Sequence, residues 1–172
     1  KMADPVRFAR EMLGFEPDEK QAMVLDPSIR RGLLNCTRQW GKSTIMAVKA
    51  LHLACTQPGS NVVVLSPTEA QAGTFFEVVR EFLASLEISP CGDRVHRHSV
   101  RLPNGSRILG MGGRSKRRGL RKVALLLVDE AAEVPEMAYK AIRPVLATVG
   151  KSGGAIWLLS TPRGPRGFFY RE

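Results

Sequence analysis

Continuous apolar segments separated by amphipathic ones make up most of this chain. Residues 32–36, 61–66, 124–128 and 155–160 form short runs rich in Val, Leu and Ile. Apolar runs without polar alternation are typical of strands that helices cover on both faces. The pattern therefore predicts four buried strands of a mainly parallel sheet.

The segments between these runs have the spacing of amphipathic helices. The predicted helices span residues 43–56 and 69–86, and a third begins at Pro135 with an apolar face of Met137, Ala138, Ala141 and Ile142. Strands that alternate with helices along a chain predict a parallel sheet with right-handed crossovers. The expected fold class is therefore α/β, with helices on both faces of the sheet.

One stretch interrupts this alternation. Residues 100–109 alternate apolar and polar side chains around Asn104-Gly105, which is a strong hairpin signal. Pro103 lacks a backbone N–H, so it favours an edge position for this hairpin. Together with the glycines up to residue 113, the stretch predicts a β-hairpin insertion near residues 96–113.

Positive charge is concentrated in and after that hairpin. The chain has 26 Lys and Arg against 16 Asp and Glu, a net charge of +10, and residues 94–122 contain ten basic residues and no acid. A local excess of this kind favours a polyanionic partner such as nucleic acid, with a solvated basic loop as the alternative. The candidate DNA contacts are Arg101, Arg107, Arg114, Lys116, Arg117 and Arg121.

Composition and segment lengths narrow the class of protein further. Hydrophobic residues make up 44% of the chain and charged residues 24%, which excludes a disordered chain. The longest apolar run, residues 123–128, is too short to cross a bilayer, so we expect no membrane partner. Three cysteines without CxxC spacing, and a first segment without a signal-peptide stretch, favour a reducing cytoplasm.

Residues 36–44, CTRQWGKST, follow a predicted strand and begin a predicted helix. This is the context of a phosphate-binding loop with the pattern G-x-x-x-x-G-K-[ST], although Cys36 stands where the first glycine is usual. The backbone at Gly41 would wrap a phosphate, and Lys42 would reach the β- and γ-phosphates. Ser43 would place its hydroxyl on Mg²⁺. A chance occurrence of Gly-Lys-Ser is the alternative interpretation.

Residues 125–130, LLLVDE, form an apolar strand that ends in two carboxylates. Because the carboxyl ends of parallel strands share one edge, we expect Asp129 and Glu130 near the phosphate loop. Asp129 would hold Mg²⁺, and Glu130 would be the general base for the attacking water. A helix cap at Asp129 beside a solvated Glu130 is the weaker interpretation. The motifs predict a nucleoside triphosphatase, and the absence of an Asn-Lys-x-Asp sequence favours ATP over GTP.

A third polar segment, Ser160-Thr161-Pro162, ends the last predicted strand. On its own, such a sequence is usually only a turn. At the same edge as the other two motifs, the hydroxyls of Ser160 and Thr161 would bind the γ-phosphate or the attacking water. They would then couple hydrolysis to neighbouring segments.

In this order, the motifs resemble the ATPase domain of a large terminase, the motor that packages double-stranded DNA into viral capsids. The resemblance rests on Arg and Gln ahead of Gly-Lys-Ser, on the box LVDEAA at residues 127–132 and on Ser-Thr-Pro at residues 160–162. Residues 15–17 with Gln21 resemble the family's adenine-contacting segment, and residues 64–68 with Gln71 the next helicase-like element. The resemblance covers about residues 15–161 and implies a P-loop NTPase fold of the RecA/ASCE type.

The same resemblance implies roles for arginines. Arg38 would contact the γ-phosphate from within the loop, and a neighbouring subunit would supply a second arginine. Arg118 is the best match for this trans-acting finger, with Arg117 and Arg121 as competitors, and such a cation is worth about 10³–10⁵ in rate in other nucleotide hydrolases. The implied ATP-binding residues are Phe15, Gln21, Thr37, Arg38, Gln39, Trp40, Gly41, Lys42, Ser43 and Thr44.

A terminase-like motor would use ATP and Mg²⁺ and act on double-stranded DNA in the host cytoplasm. Its partners would be further copies of itself, in a ring on the portal of a procapsid, and the small terminase subunit. We expect residues 1–172 to form a single P-loop ATPase domain, a fragment without the lid subdomain and nuclease domain of complete terminases. No nuclease activity is expected from it.

Two other functions fit parts of the sequence. A superfamily 2-type helicase or another DNA-dependent ATPase shares the Phe/Gln segment and the Asp-Glu box, but Ala132 stands where the helicase motif has His or Asp. A non-catalytic basic DNA-binding module is supported only by Cys36. ATP turnover distinguishes that module from the motor, because intact Lys42 and Glu130 predict hydrolysis.

Overall fold

The computed structural model describes residues 3–37, 39–91, 97–113, 120, 122–148, 153–164 and 167–172. The strands within these residues are β1 (Arg31–Asn35), β2 (Asn61–Ser66), β3 (Ser99–Arg101), β4 (Arg107–Gly112), β5 (Val123–Asp129) and β6 (Ala155–Ser160). The α-helices are α1 (Pro5–Leu13), α2 (Glu19–Leu25), α3 (Lys42–Thr56), α4 (Glu69–Ser85), α5 (Glu136–Ile142) and α6 (Gly167–Arg171), and a 3₁₀ helix spans Arg143–Thr148.

The strands form a six-stranded sheet in the order β1-β6-β5-β2-β4-β3. Every neighbouring pair is parallel except β3 and β4, which are antiparallel. The carboxyl ends of β1, β2, β4, β5 and β6 therefore lie along one edge, which we call the carboxyl edge, and the opposite edge is the amino edge. The predicted α/β fold with a mainly parallel sheet is confirmed.

Helices cover both faces of the sheet, because successive side chains of a buried strand point in opposite directions. Val62 and Val64 of β2 pack in the core that α1 to α4 form on one face. Val63 and Leu65 of the same strand pack in the core on the face of α5 and α6. Two apolar layers thus hold the sheet from both sides. None of the helices in the described part of the chain is long and apolar enough to span a membrane.

The helix that leads to the phosphate loop begins with a reciprocal cap. Asp18 Oδ1 accepts a hydrogen bond from the backbone N–H of Gln21 at 2.8 Å, and Gln21 Oε1 accepts one from the N–H of Asp18 at 3.0 Å. This capping box satisfies two N–H groups that would otherwise lack partners at the start of α2. It also fixes the side chain of Gln21.

The prediction that both faces of the first strand are covered is wrong. β1 is an outermost strand of the sheet, and Arg31, Leu33 and Asn35 on one of its faces are exposed. The side chain of Leu33 is 44% exposed. The run of residues 32–36 is apolar, but burial depends on a strand's neighbours as well as on its composition.

The predicted hairpin is present, but its second strand belongs to the main sheet and is not a separate insertion. β3 pairs with β4 on one side, and β4 pairs with β2 in parallel on the other. Gly110 lies within β4 because the Phe76 ring fills the space of a side chain, and a Cβ there would stand 2.5 Å from Phe76 Cε2. The expected edge position is occupied by β3.

The apolar face predicted for the third helix is also wrong in part. α5 buries Tyr139 and Ile142, whereas Met137 is 78% exposed and Ala141 is exposed. The Tyr139 ring stacks on Phe168 with a centroid separation of 4.1 Å, so an aromatic side chain fills the core position. Met137 and Ala141 turn outwards instead.

Candidate nucleotide site

Three polar segments meet at the carboxyl edge of the sheet. They are the loop after β1, the carboxylates that end β5 and the hydroxyls that end β6. Lys42 Nζ lies 3.2 Å from Glu130 Oε1, and these side chains are only 9% and 20% exposed. The loop and the acids thus share one partly buried site.

The loop after β1 has the backbone of an anion-binding turn. Gly41 adopts a left-handed conformation with φ 87° and caps the 15-residue helix α3, and Gln39 has φ 64°. Lys42, Ser43 and Thr44 form the first turn of α3, whose free N–H groups and dipole favour an anion. The geometry is suited to a bound phosphate.

Gln21 supports the phosphate loop through a hydrogen bond to its backbone. Its Nε2 donates a hydrogen bond to the backbone carbonyl of Trp40 at 3.0 Å, and its side chain is buried. Phe15, implied by the resemblance as an adenine contact, is half-buried and packs against the core. Gln21 therefore supports the loop directly. The sequence motif of Phe15 and Gln21 does not predict this contact.

Asp129 is a buried carboxylate at the end of β5. It is 7% exposed, and burial together with the nearby charge of Glu130 raises its pKa to about 6. Its Oδ1 accepts a hydrogen bond from the N–H of Glu130 at 3.0 Å. A divalent cation would offset the cost of this buried charge, so the carboxylate is chemically suited to hold Mg²⁺. Ser43, the other predicted ligand, lies in the first turn of α3.

Glu130 is held by the end of β6. Its Oε2 accepts hydrogen bonds from Thr161 N at 3.2 Å and from Thr161 Oγ1 at 3.0 Å, and Ser160 Oγ lies 3.4 Å away. Burial opposes ionisation of Glu130, but these bonds and the Lys42 ammonium outweigh it and lower the pKa. Glu130 is therefore a carboxylate at neutral pH.

The backbone of Glu130 contributes to this arrangement. Its φ of 44° is left-handed, a conformation that costs about 1 kcal/mol or more for a residue with a side chain. The kink turns the carboxylate towards Lys42 and Thr161, whereas an extended strand would send it to the opposite face from Asp129. Such outliers cluster at functional sites.

Cys36, the departure from the loop pattern, continues the pairing of β1 with β6. Its N–H donates to the carbonyl of Ser160 at 3.0 Å, and its Sγ lies 3.9 Å from the same oxygen. Burial raises the pKa of this thiol. The Lys42 ammonium opposes the increase, and the carboxylates of Glu130 and Asp129 add to it. Cys36 is a neutral residue at the foot of the loop.

Of the basic candidates, the structure describes only Arg101 and Arg107, and these two lie away from the nucleotide site. Arg101 and Arg107 face each other across β3 and β4 at the amino edge, and both are exposed. Arg38, Arg114, Lys116, Arg117, Arg118 and Arg121 lie outside the described residues. The structure therefore separates two DNA candidates from the nucleotide site.

Sequence reasoning missed the direct contacts among the motifs. It put Lys42 and Glu130 at one edge, but no pattern indicates that they form an ion pair. It also missed Lys49, a lysine on α3 that is 8% exposed. The available signal was a single charged residue among the mainly apolar residues that follow the first turn of α3.

The chain is similar in sequence to known proteins of one family. A profile of the family "Terminase large subunit, T4likevirus-type, N-terminal" matches residues 33–170. The terminase large subunit of Thermus virus P23-45 is 29% identical over 92% of this chain, which spans 36% of that relative's length.

Solved structures show the same fold. The large terminase ATPase domain of Thermus phage P74-26 superposes with a TM-score of 0.79 and 26% identity, over 94% of this chain and 71% of that one. The large terminase of a thermophilic bacteriophage, in complex with ADP, superposes with a TM-score of 0.73 and 19% identity, over 91% of this chain and 42% of that one.

Proposed function

Because this chain belongs to the family of T4-like-virus-type terminase large-subunit N-terminal domains, we propose that it is an ATPase whose hydrolysis drives double-stranded DNA into a viral procapsid. The observation that carries this proposal is the contact of Lys42 with Glu130 at the carboxyl edge. It supports the proposal, because the candidate phosphate-binding cation and the candidate base are in direct contact. A superfamily 2-type helicase is disfavoured by the terminase matches.

Substrate binding would use the loop and its supports. The N–H groups of Gly41 to Thr44 and the Lys42 ammonium would hold the β- and γ-phosphates. Gln21 would keep the loop in its binding conformation through the carbonyl of Trp40. Phe15, Thr37, Gln39 and Arg38 stay candidates for further contacts, as the resemblance implies.

Asp129 and Ser43 would hold Mg²⁺. A bound Mg²⁺ would supply positive charge that offsets the negative charge developing on the phosphate. The burial of Asp129 supports this role, because a neutral asparagine would satisfy the fold at lower cost.

Glu130 would act as the general base. Its charge is paired with Lys42. A triphosphate would draw Lys42 away, and Glu130 would then be free to accept a proton from the attacking water. Ser160 and Thr161 contact the same carboxylate. A change in the position or protonation of Glu130 would therefore alter their hydrogen bonds and shift the end of β6. This is the proposed coupling.

The remaining cations complete the proposal. Arg38 would act within the loop, and Arg118, or its competitors Arg117 and Arg121, would enter the site of a neighbouring subunit in a homo-oligomeric ring on the procapsid portal. Arg101 and Arg107 support DNA binding, because the register that pairs them puts like charges directly opposite each other. Anionic phosphates would relieve that repulsion. The small terminase subunit and the host cytoplasm are proposed from the family.

The proposal is tested by nucleotide binding and turnover. Wild type should bind ATPγS in the presence of Mg²⁺ and hydrolyse ATP, and Lys42→Ala should bind at least about 100-fold more weakly, because the loop loses its phosphate-binding cation. Lys140→Ala, which removes an exposed lysine paired with Glu136, is the matched control and should behave as wild type. Failure of wild type to bind ATPγS, or equal binding by Lys42→Ala, would overturn the proposal.

The trans-acting arginine has its own test. Arg118→Ala and Glu130→Gln should each be slow alone, because each leaves every interface with one defect. Mixed rings contain some interfaces with both residues intact, so a mixture should partly recover turnover. Absence of recovery at any ratio would remove Arg118 from the finger role.

A further inference from the structure

Lys49 is a buried cation on α3, seven residues after Lys42. Its side chain is 8% exposed, and its Nζ donates a hydrogen bond to the backbone carbonyl of Val24 at 2.6 Å. The same ammonium lies over the Trp157 ring, 5.0 Å from the ring centroid. One charged group therefore joins the end of α2 to β6.

Trp157 is itself wedged between strands. It is 5% exposed and lies on β6, three residues before Ser160. A Cβ on Gly32 would stand 2.2 Å from the indole ring, so the ring packs directly on the backbone of β1. Among the described residues, the indole Nε1 has no hydrogen-bond partner. The Lys49 ammonium over the ring face therefore supplies a polar contact to a side chain that is otherwise packed in apolar surroundings.

These contacts connect four of the elements that lead to the nucleotide site, namely α2, α3, β1 and β6. α2 carries Gln21, which holds the phosphate loop through Trp40, and Val24 lies one turn later. α3 carries Lys42, β1 leads into the loop, and β6 leads to Ser160. Lys49 thus lies on one of these elements and contacts two others, and Trp157 packs against the fourth.

We propose that Lys49 is a positioning residue that seats Gln21 on the phosphate loop by tying α2 to the Trp157 face of β6. The inference rests on the proposed nucleotide-binding function and names a residue that acts on that site through others. Lys49 touches no candidate substrate group.

Stability alone does not account for a cation here. Burial lowers the pKa of Lys49 to about 8, and the carboxylate of Asp26 only partly opposes this. Lys49 also lines a cavity of about 290 Å³ together with Arg30 and His52. A buried charge is costly, and an apolar side chain of equal length would fill the space at lower cost. The cation is therefore explained by the contacts that it makes.

The test compares Lys49→Met with Lys49→Arg. Methionine keeps the length and removes the charge, so we expect Mg²⁺–ATPγS to bind about fivefold more weakly, the equivalent of about 1 kcal/mol. We expect an equal or higher thermal unfolding midpoint. Lys49→Arg should restore most of the affinity, because a guanidinium can also donate to a carbonyl and stack on an indole. A purely structural role would instead lower affinity and midpoint together.

Gln21→Ala completes a double-mutant cycle measured by titration calorimetry. If Lys49 acts through Gln21, Lys49→Met should cause little further loss in the Gln21→Ala background. Equal binding of ATPγS by wild type and Lys49→Met, or fully additive losses, would overturn the inference. Absence of binding by wild type would overturn the proposed function instead.

A second measurement uses the wild-type chain, in case Lys49→Met does not fold. ¹⁹F NMR of protein labelled with 5-fluorotryptophan should show the Trp157 signal titrating with a midpoint near pH 8. His52→Gln should retain this titration, which assigns it to Lys49. Saturating ATPγS should move the midpoint, because linked sites act reciprocally. A midpoint unchanged by nucleotide would overturn the inference.

Discussion

The two edges of the sheet carry opposite kinds of chemistry. At the carboxyl edge, Lys42, Asp129 and Glu130 are charged groups that are largely removed from water. At the amino edge, Arg101 and Arg107 are exposed, and the hairpin between them is fixed by neutral hydrogen bonds. The loops at the carboxyl edge are available to bind a ligand. At the amino edge, the hairpin instead forms structural hydrogen bonds to the end of α3.

The hairpin shows how the amino edge is held. Asn104 Nδ2 donates to the carbonyl of Ala54 at 2.8 Å, and the buried Ser106 hydroxyl donates to the carbonyl of Gln57 at 2.9 Å. Both acceptors belong to the last turn of α3 or to the residue after it. The helix that begins at the phosphate loop therefore ends in a contact that anchors the hairpin.

Loss of the carboxylate that would hold Mg²⁺ should produce the largest effect. Asp129→Asn should reduce Mg²⁺-dependent ATP turnover by at least about 100-fold, because the ion would lose its proposed carboxylate ligand. The same change should raise the free energy of unfolding at pH 7 by up to about 3 kcal/mol, since a buried charge with a pKa near 6 is removed. Turnover assays and denaturant titrations measure the two effects.

The control for this prediction is Glu77→Gln, which removes an exposed carboxylate on α4. It should leave turnover and stability unchanged. Normal turnover by Asp129→Asn would show that the carboxylate does not serve the metal.

A change in the hairpin should have the reverse profile. Ser106→Ala should lower the free energy of unfolding by about 1 kcal/mol, because the buried hydroxyl that bonds both Ser60 N and the carbonyl of Gln57 is lost, although these two groups still bond each other. ATPγS affinity should not change. Ser85→Ala, which removes an exposed hydroxyl bonded to Glu81, should cost less than about 0.5 kcal/mol. Weaker nucleotide binding by Ser106→Ala would contradict the division between the edges.

DNA binding should depend on the amino edge and not on the nucleotide loop. The double variant Arg101→Gln/Arg107→Gln should reduce the slope of log affinity against log salt by up to about 1.8, because two phosphate contacts are lost. ATPγS affinity should stay the same. Arg7→Gln/Arg10→Gln removes two exposed arginines that pair with Glu11 and Glu16, and it should change the slope little. Equal slopes for the two double variants would remove the hairpin from the DNA contact.

The smallest effect is a pH dependence of stability that arises from Lys49, which lies in the middle of α3. Lys49 has a folded-state pKa of about 8, below the value near 10.4 of an unfolded lysine. Between these values the unfolded chain binds more protons, so this contribution to stability rises as pH increases from about 8 to about 10.4. The difference in unfolding free energy between wild type and Lys49→Met should therefore grow in favour of wild type over that range. A constant difference would contradict the shifted pKa.

Much of the fold was predictable, because β2 and β5 are continuous apolar runs and their position in a parallel sheet follows from the helices between them. The exposure of β1 was not, since its composition matches that of a central strand. Tyr139, and not the expected Met137, is buried in the core, because its ring stacks on Phe168. Phe168 lies on a separate helix later in the chain. Contacts between residues so far apart in the sequence cannot be predicted from local hydrophobic patterns.

The candidate site was predictable to the level of its motifs. Gly41, Lys42 and Asp129 follow from spacing and from the rule that parallel strands end at one edge. The hold of Gln21 on Trp40, the left-handed turn at Glu130 and the contact of Lys49 with Trp157 depend on side-chain packing. These contacts determine the conformation of the phosphate loop and of the Glu130 side chain in the absence of nucleotide.

The central claim is that a terminal phosphate replaces Glu130 as the partner of Lys42. Glu130→Gln tests it most directly, with ATPγS affinity and ATP turnover measured on the same protein. Removal of the competing carboxylate should tighten ATPγS binding about three- to tenfold, while loss of the base should slow turnover by about 10²–10⁴. Weaker ATPγS binding together with near-normal turnover would contradict the account.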